Sequence, residues 1–208
     1  MVNEAKESLN ERWNEVEMLI DFLERIEEKE ELYSQFLSVI SVQKASVFVV
    51  LYNMVESTLY LLFEELFDSI ADYELKYFDI ALPLKKQYAK YKKGGDFFNE
   101  NTVIALEFKE YSKCVKLFSG NLDARAIRDI LERWGIYKDF HMQGEEKLLV
   151  VKNHRNTLAH GDRSFKEIGR DYTISDLKEY TTYCYNYLIE LVKQFYVYIE
   201  DERFIDNK

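Results

Sequence analysis

The chain has 208 residues, one proline, seven glycines, two cysteines, 47% hydrophobic content and a formal net charge of −10. A single domain over residues 1–208 is expected, because that length carries no Pro/Gly/Ser-rich linker and can bury a substantial core. So few chain breakers argue against a many-stranded β fold and for a mostly or wholly α one, and the acidic balance argues against a surface that binds nucleic acid everywhere.

Residues 3–28 set Trp13, Val16, Leu19, Ile20, Leu23 and Ile26 at three-to-four-residue intervals among acids, which predicts an amphipathic helix packed by one face. A second helix is expected over 32–72, with Phe36, Val39/Ile40, Val47, Leu51, Leu59 and Leu66 turned inward and the stretch from Ala45 to Val55 buried on several sides. Its charges at Lys44, Glu56, Glu64 and Glu65 leave no uncharged run near the ~20 residues of a membrane span, so a soluble protein is expected. Residues 73–91 read as a less regular helix with Pro83 near a bend, followed by a loop at Lys92-Lys93-Gly94-Gly95. Between 96 and 120 the pattern fits strand and helix equally.

From 121 to 134 the signals are clear: Asp123 as N-cap, Ile127, Ile130 and Leu131 as the buried stripe, and Gly135 as the stop. A further helix is expected from Glu145 to about Ala159, with Leu148, Leu149 and Val151 inward and Gly161 terminating it. The last should run from about Thr173, where T-x-x-D forms a capping box, to Glu200. Its first stripe runs Leu177, Thr181, Cys184, Leu188, Leu191/Val192, Phe195 and Ile199, and Tyr180, Tyr183 and Tyr187 make a second. Core packing is the expected role of those tyrosines, ahead of base stacking.

The element that carries chemistry is Arg155-Asn156-Thr157-Leu158-Ala159-His160-Gly161. A histidine titrates near neutral pH and can move a proton, while a guanidinium offers a permanent charge and a planar donor fork to phosphate oxygens. Cleaving RNA without a metal needs both: a proton removed from a ribose 2′-hydroxyl, charge stabilised on the phosphorane, and a proton given to the leaving 5′-oxygen. His160 is assigned as general base or acid, Arg155 as the phosphate clamp and Asn156 as its orienting partner; the plainer alternative is a helix end whose Arg and His cap carbonyls. Five helical residues span a full turn plus about 140°, so either the helix ends between Arg155 and His160 or two chains cooperate. Asn53 and Glu56, three apart in an apolar helix, either satisfy helix-end and loop groups or line a polar cleft facing this run.

Charge distribution favours the same region. Residues 1–31 hold eleven acids against four bases, 84–95 hold five lysines and no acid, and 123–170 hold ten bases against eight acids. Lys152, His154, Arg163, Lys85 and Lys86 are candidate RNA contacts, although the lysines of 84–95 also read as a solvated helix face. The acidic N-terminal face invites a basic partner to cover it.

RNTLAHG followed by SFKEIG and a long final helix, with LYNMVEST in the buried helix and SGNLDARAIRDILERWGI between, resembles the HEPN superfamily in its MAE-like branch of nucleases. The resemblance runs from Ala45 to Ile199, with Leu75 to Ser119 contributing little. It implies an up-and-down helical bundle with core about 32–72 and 121–200, an N-terminal helix at 1–28 and a variable insertion at 73–120. It also implies a two-fold homodimer whose composite site is a metal-independent endoribonuclease, commonly a toxin or anti-phage effector with a cognate antitoxin or regulator.

Other chemistries find little support. His141 and His154 lack the i, i+4 spacing with His160 that places two metal ligands on one helical face, so no metal is expected. Phosphate-cradling glycine motifs and serine or cysteine nucleophile motifs are absent, and no cofactor is expected. Cys114 and Cys184 have no metal-ligand spacing, and the first residues lack the order of a signal peptide, so a cytoplasmic location is expected. The competing reading is a non-catalytic dimeric module that binds RNA or protein through the same cleft.

Overall fold

Long apolar periodicities broken by single glycines produce the all-α fold that composition implies. A computed structural model describes residues 3–91, 103–104, 107–118, 120–138 and 140–206. Among them run α1 (Glu4–Glu27), α2 (Glu30–Asp72), a 3-10 turn (Tyr77–Asp79), α3 (Leu82–Tyr91), α4 (Phe108–Cys114), α5 (Ala124–Trp134), α6 (Glu146–His160), α7 (Phe165–Arg170) and α8 (Ile174–Glu200). Pro83 sits in the first turn of α3, where its missing N–H costs nothing. The ambiguous 96–120 stretch yields α4, preceded by an isolated bridge between Val103 and Lys76. The Lys92–Gly95 loop and residues 96–102 lie outside the described residues.

The chain divides into two compact units, one of residues 1–5, 59–141 and 190–208, the other of 6–58 and 142–189. The first is built on aromatic rings. Phe63 meets Trp134 and Phe195 edge-on at 5.0 and 5.2 Å, and Phe67 meets Phe108 and Tyr111, each at 5.2 Å. α5 is fixed at both ends: Asp123 accepts from the Ala126 amide at 2.9 Å, and Gly135, at φ 72°, lies against the Pro83 ring. Gln87 donates to the Arg133 carbonyl at 2.9 Å, satisfying a group at that helix end.

The second unit buries Leu9, Val16, Ile20 and Leu23 of α1, Val47, Phe48, Leu51, Met54 and Val55 of α2, Leu148 and Val151 of α6, and Leu177, Thr181, Cys184 and Leu188 of α8. Trp13 stacks on Tyr185 at 4.3 Å, and the Tyr185 hydroxyl donates to Asn10. Of the tyrosine stripe, Tyr187 is buried and Tyr180 and Tyr183 half-buried. The capping box at Thr173 is present: its N–H and hydroxyl both donate to Asp176, whose own N–H donates back. Lys44 is buried on α2, which lowers the pKa of its ammonium, while Glu27 and Asp176 oppose that shift.

Two expectations about burial need correction. The spacing puts Phe36 and Val39 in the inward stripe of the second helix, but both are exposed. The backbone leaves helical geometry at Phe36 (φ −107°, ψ 16°), so the first turns of α2 do not share the register of the rest. Leu149 is also exposed, because the buried edge of α6 is narrow and takes Leu148, Val151 and Leu158. By length and mean hydropathy α2 contains a window long and apolar enough to cross a membrane, yet 56% of that window is buried within the protein, as suits a core helix.

α7 shows how closely the backbones approach. A Cβ on Gly169 would stand 1.7 Å from the Ser41 carbonyl oxygen of α2, a contact that backbone cannot yield without moving one helix. Gly169→Ala should therefore exceed ordinary overpacking, costing about 3 kcal/mol or more and lowering Tm by roughly 10 °C, as read by thermal denaturation. A Tm within about 1 °C of wild type would show that α7 is free to shift.

Candidate functional site

α6 carries the Arg155–His160 element and ends in a Schellman turn. Gly161 takes φ 75°, its N–H donates to Leu158 O at 3.3 Å, and the Asp162 N–H donates to Thr157 O at 3.1 Å. Gly161 thus terminates the helix as expected, but the helix continues through His160. It does not end between the arginine and the histidine, because nothing from Asn156 to Ala159 breaks it and the first residue at ease with positive φ is Gly161. Arg155 and His160 therefore occupy sectors of one helix about 140° apart.

Arg155 is held by α2. Its guanidinium carbon lies 4.4 Å from the centre of the Tyr52 ring, a cation–π distance, and Nη2 lies 3.6 Å from Glu56 Oε2. Tyr52 donates its hydroxyl to Glu56 Oε1 at 3.1 Å, so residues i and i+4 of α2 form one clamp. Nη1 donates to Asn156 Oδ1 at 3.0 Å, so the residue next to the arginine touches its fork. Glu56 thus faces the arginine, whereas Asn53 is exposed on α2 and the structure does not bring it to Arg155. His160 is exposed and makes no hydrogen bond or ion pair among the described residues.

The other candidates disperse. The His154 ring is half-buried among aromatics, 4.7 Å from Phe48 and hydrogen-bonded to the Tyr172 hydroxyl at 2.6 Å. Tyr180 packs against both Phe48 and Tyr172. Burial, with the Arg163 charge second and Asp171 opposing, holds the His154 imidazole below its usual pKa, and burial with the Tyr180 phenol pushes Tyr172 up to about 12. Arg163 donates to Asp171 at 2.7 Å and to the Glu167 carbonyl, and Lys152 is half-buried. Lys85 belongs to the other unit, where it pairs with Asp206 at 2.8 Å beside the exposed Lys86. Sequence reasoning missed Tyr52, whose only signal was its place four residues before Glu56 in LYNMVE.

Acid sensitivity follows from His154. A base whose folded pKa is depressed stabilises the fold fully above its unfolded pKa and loses that contribution as pH falls through 6.5 toward the lower folded value. Tm should decline more steeply between pH 7 and 5 in wild type than in His154→Gln. Parallel pH–Tm curves would show that the imidazole is solvated in both states.

Among the described residues no three His, Cys, Asp or Glu side chains gather in a way that could hold a metal ion. An all-helical protein carrying an Arg-polar-x-x-x-His element, its arginine clamped by a neighbouring helix and its histidine at the helix end, is the class these features define. The family model for MAE_28990-like HEPN proteins matches residues 1–204, and the chain belongs to that family. The match includes the 73–120 stretch. No curated protein and no solved structure matches the chain significantly.

Proposed function

We propose that this HEPN protein is a metal-independent endoribonuclease acting as a homodimer, in the role of a toxin or anti-phage effector. The observation that carries the reading is the division of labour on α6: an arginine fixed by Tyr52, Glu56 and Asn156, and an exposed histidine about 140° round the same helix. A second copy about a two-fold axis would supply the histidine that one copy cannot bring to its own arginine. In the reaction the ribose 2′-hydroxyl loses its proton to a base and its oxygen attacks the adjacent phosphorus. The 5′-oxygen then leaves with a proton, giving a 2′,3′-cyclic phosphate and a 5′-hydroxyl. His160 serves as base or acid, and Arg155 takes the charge that builds on the non-bridging oxygens. The Glu56 contact at 3.6 Å is longer than a hydrogen bond, so a phosphate oxygen approaching the fork competes with it on favourable terms.

A non-catalytic binding module is the second reading, favoured by the Glu56 charge beside Arg155 and the net charge of −10. Incubating purified protein with total cellular RNA in excess EDTA separates the two. Cuts ending in 2′,3′-cyclic phosphates are the expected result. Intact RNA, with binding detected by mobility shift, would favour the module.

A further inference from the structure

The first turns of α2 present an apolar surface that this chain leaves uncovered. Leu32 and Phe36 are 38% and 43% exposed, Leu37 43%, Val39 55% and Val42 37%. Isolated exposed apolar side chains are ordinary, but five of the fifteen large exposed ones among the described residues fall within residues 32–42. Beyond it α2 is a core helix, with Ala45, Val47, Phe48 and Leu51 fully buried, so the exposure is confined to the segment before and around the break at Phe36. An acidic collar adjoins it: Glu27, Glu28, Glu30 and Glu31 are all exposed, with Lys29 the one base among residues 27–31.

The collar decides the occupant. A second copy packed antiparallel about a two-fold axis would bring each acidic collar to the far end of the other patch, where Lys44, the one base in residues 32–45, is buried, so the glutamates would meet no counter-charge there. An anionic membrane surface is repelled by the same glutamates. A helix with an apolar stripe and flanking lysines or arginines satisfies both halves of the surface: its stripe covers Leu32 to Val42, and its cations meet the glutamates. We propose that residues 27–42 form the docking surface for a basic amphipathic helix of a partner protein. This does not depend on RNA cleavage, since the surface and its charge are there whatever α6 does.

The test uses the full chain and three fluorescent peptides of about 18 residues, long enough for helical order. One carries Leu and Phe at i, i+3, i+4 and i+7 with Lys and Arg elsewhere, one has Glu in place of the basic residues, and one scrambles the first. Anisotropy titrations should show the basic amphipathic peptide binding at least ~10-fold tighter than either control. Both Phe36→Ser/Val39→Ser and Glu30→Lys/Glu31→Lys should weaken it by ~10-fold or more. These positions are exposed, and circular dichroism checks that the variants fold. Equal binding of the scrambled peptide, or variants that bind like wild type, would overturn the proposal. So would loss of a dimer in sedimentation of Phe36→Ser/Val39→Ser, because the face would then join two copies of this chain.

Discussion

His160→Ala should lower the proposed RNA cleavage by ~10²–10⁴-fold, the usual worth of one positioned proton transfer, while leaving Tm within about 2 °C of wild type. The two halves of this expectation have separate causes. His160 is exposed at the end of α6 and makes no hydrogen bond among the described residues, so its removal leaves no buried group unsatisfied and should change stability by no more than about 0.5 kcal/mol. The helix end keeps its Schellman turn, which is made by the backbone at Thr157, Leu158, Gly161 and Asp162 and not by the imidazole. Initial rates in EDTA and a thermal scan on the same preparation measure both. Unchanged cleavage would remove His160 from the chemistry, and a large fall in Tm would assign it a structural role.

The contrast with His154 shows why spacing alone could not rank the histidines. Both lie in α6, six residues apart, yet one ring is wedged between Phe48 and Tyr172 and the other faces solvent. The partners of His154 come from α2 and from the α7–α8 connection, and such long-range contacts leave no mark on local periodicity. Caps behave differently because they are local. Asp123, Gly135, Gly161 and the Thr173/Asp176 pair were all legible, since each acts within a few residues of itself.

The same distinction explains the rest of the fold. α1, α5 and α8 announce themselves by stripes long enough to average over exceptions, while the seven residues of α4 offer too little pattern to separate helix from strand. The break at Phe36 is invisible because nothing in YSQFLSV is a helix breaker. Gly169 reads in sequence as an ordinary helical glycine, and only the nearness of Ser41 shows why a side chain is excluded there. At the site, the arginine, its polar neighbour and Glu56 were legible as residue types. The Tyr52 ring beneath the guanidinium was not, because an aromatic in an apolar helix is ordinarily core.

Arg155→Gln and His160→Ala, each inactive alone, should recover roughly one quarter of wild-type activity when mixed and allowed to exchange subunits. The helix geometry sets this expectation. A separation of about 140° on α6 sets one chain's arginine and histidine in different sectors, so in the proposed dimer each complete site would draw its arginine from one copy and its histidine from the other. Random exchange makes about half the dimers mixed, and a mixed dimer has one of two sites intact, the one pairing the His160→Ala copy's arginine with the Arg155→Gln copy's histidine. Glutamine is chosen because it removes the charge and the donor fork while keeping a polar side chain and the methylene stem at this position. Native mass spectrometry counts mixed dimers and the RNA assay reads their rate. Mixed dimers present without recovered activity would place arginine and histidine within one chain and require α6 to unwind at its end when RNA binds. Failure to form dimers at all would instead remove the composite site.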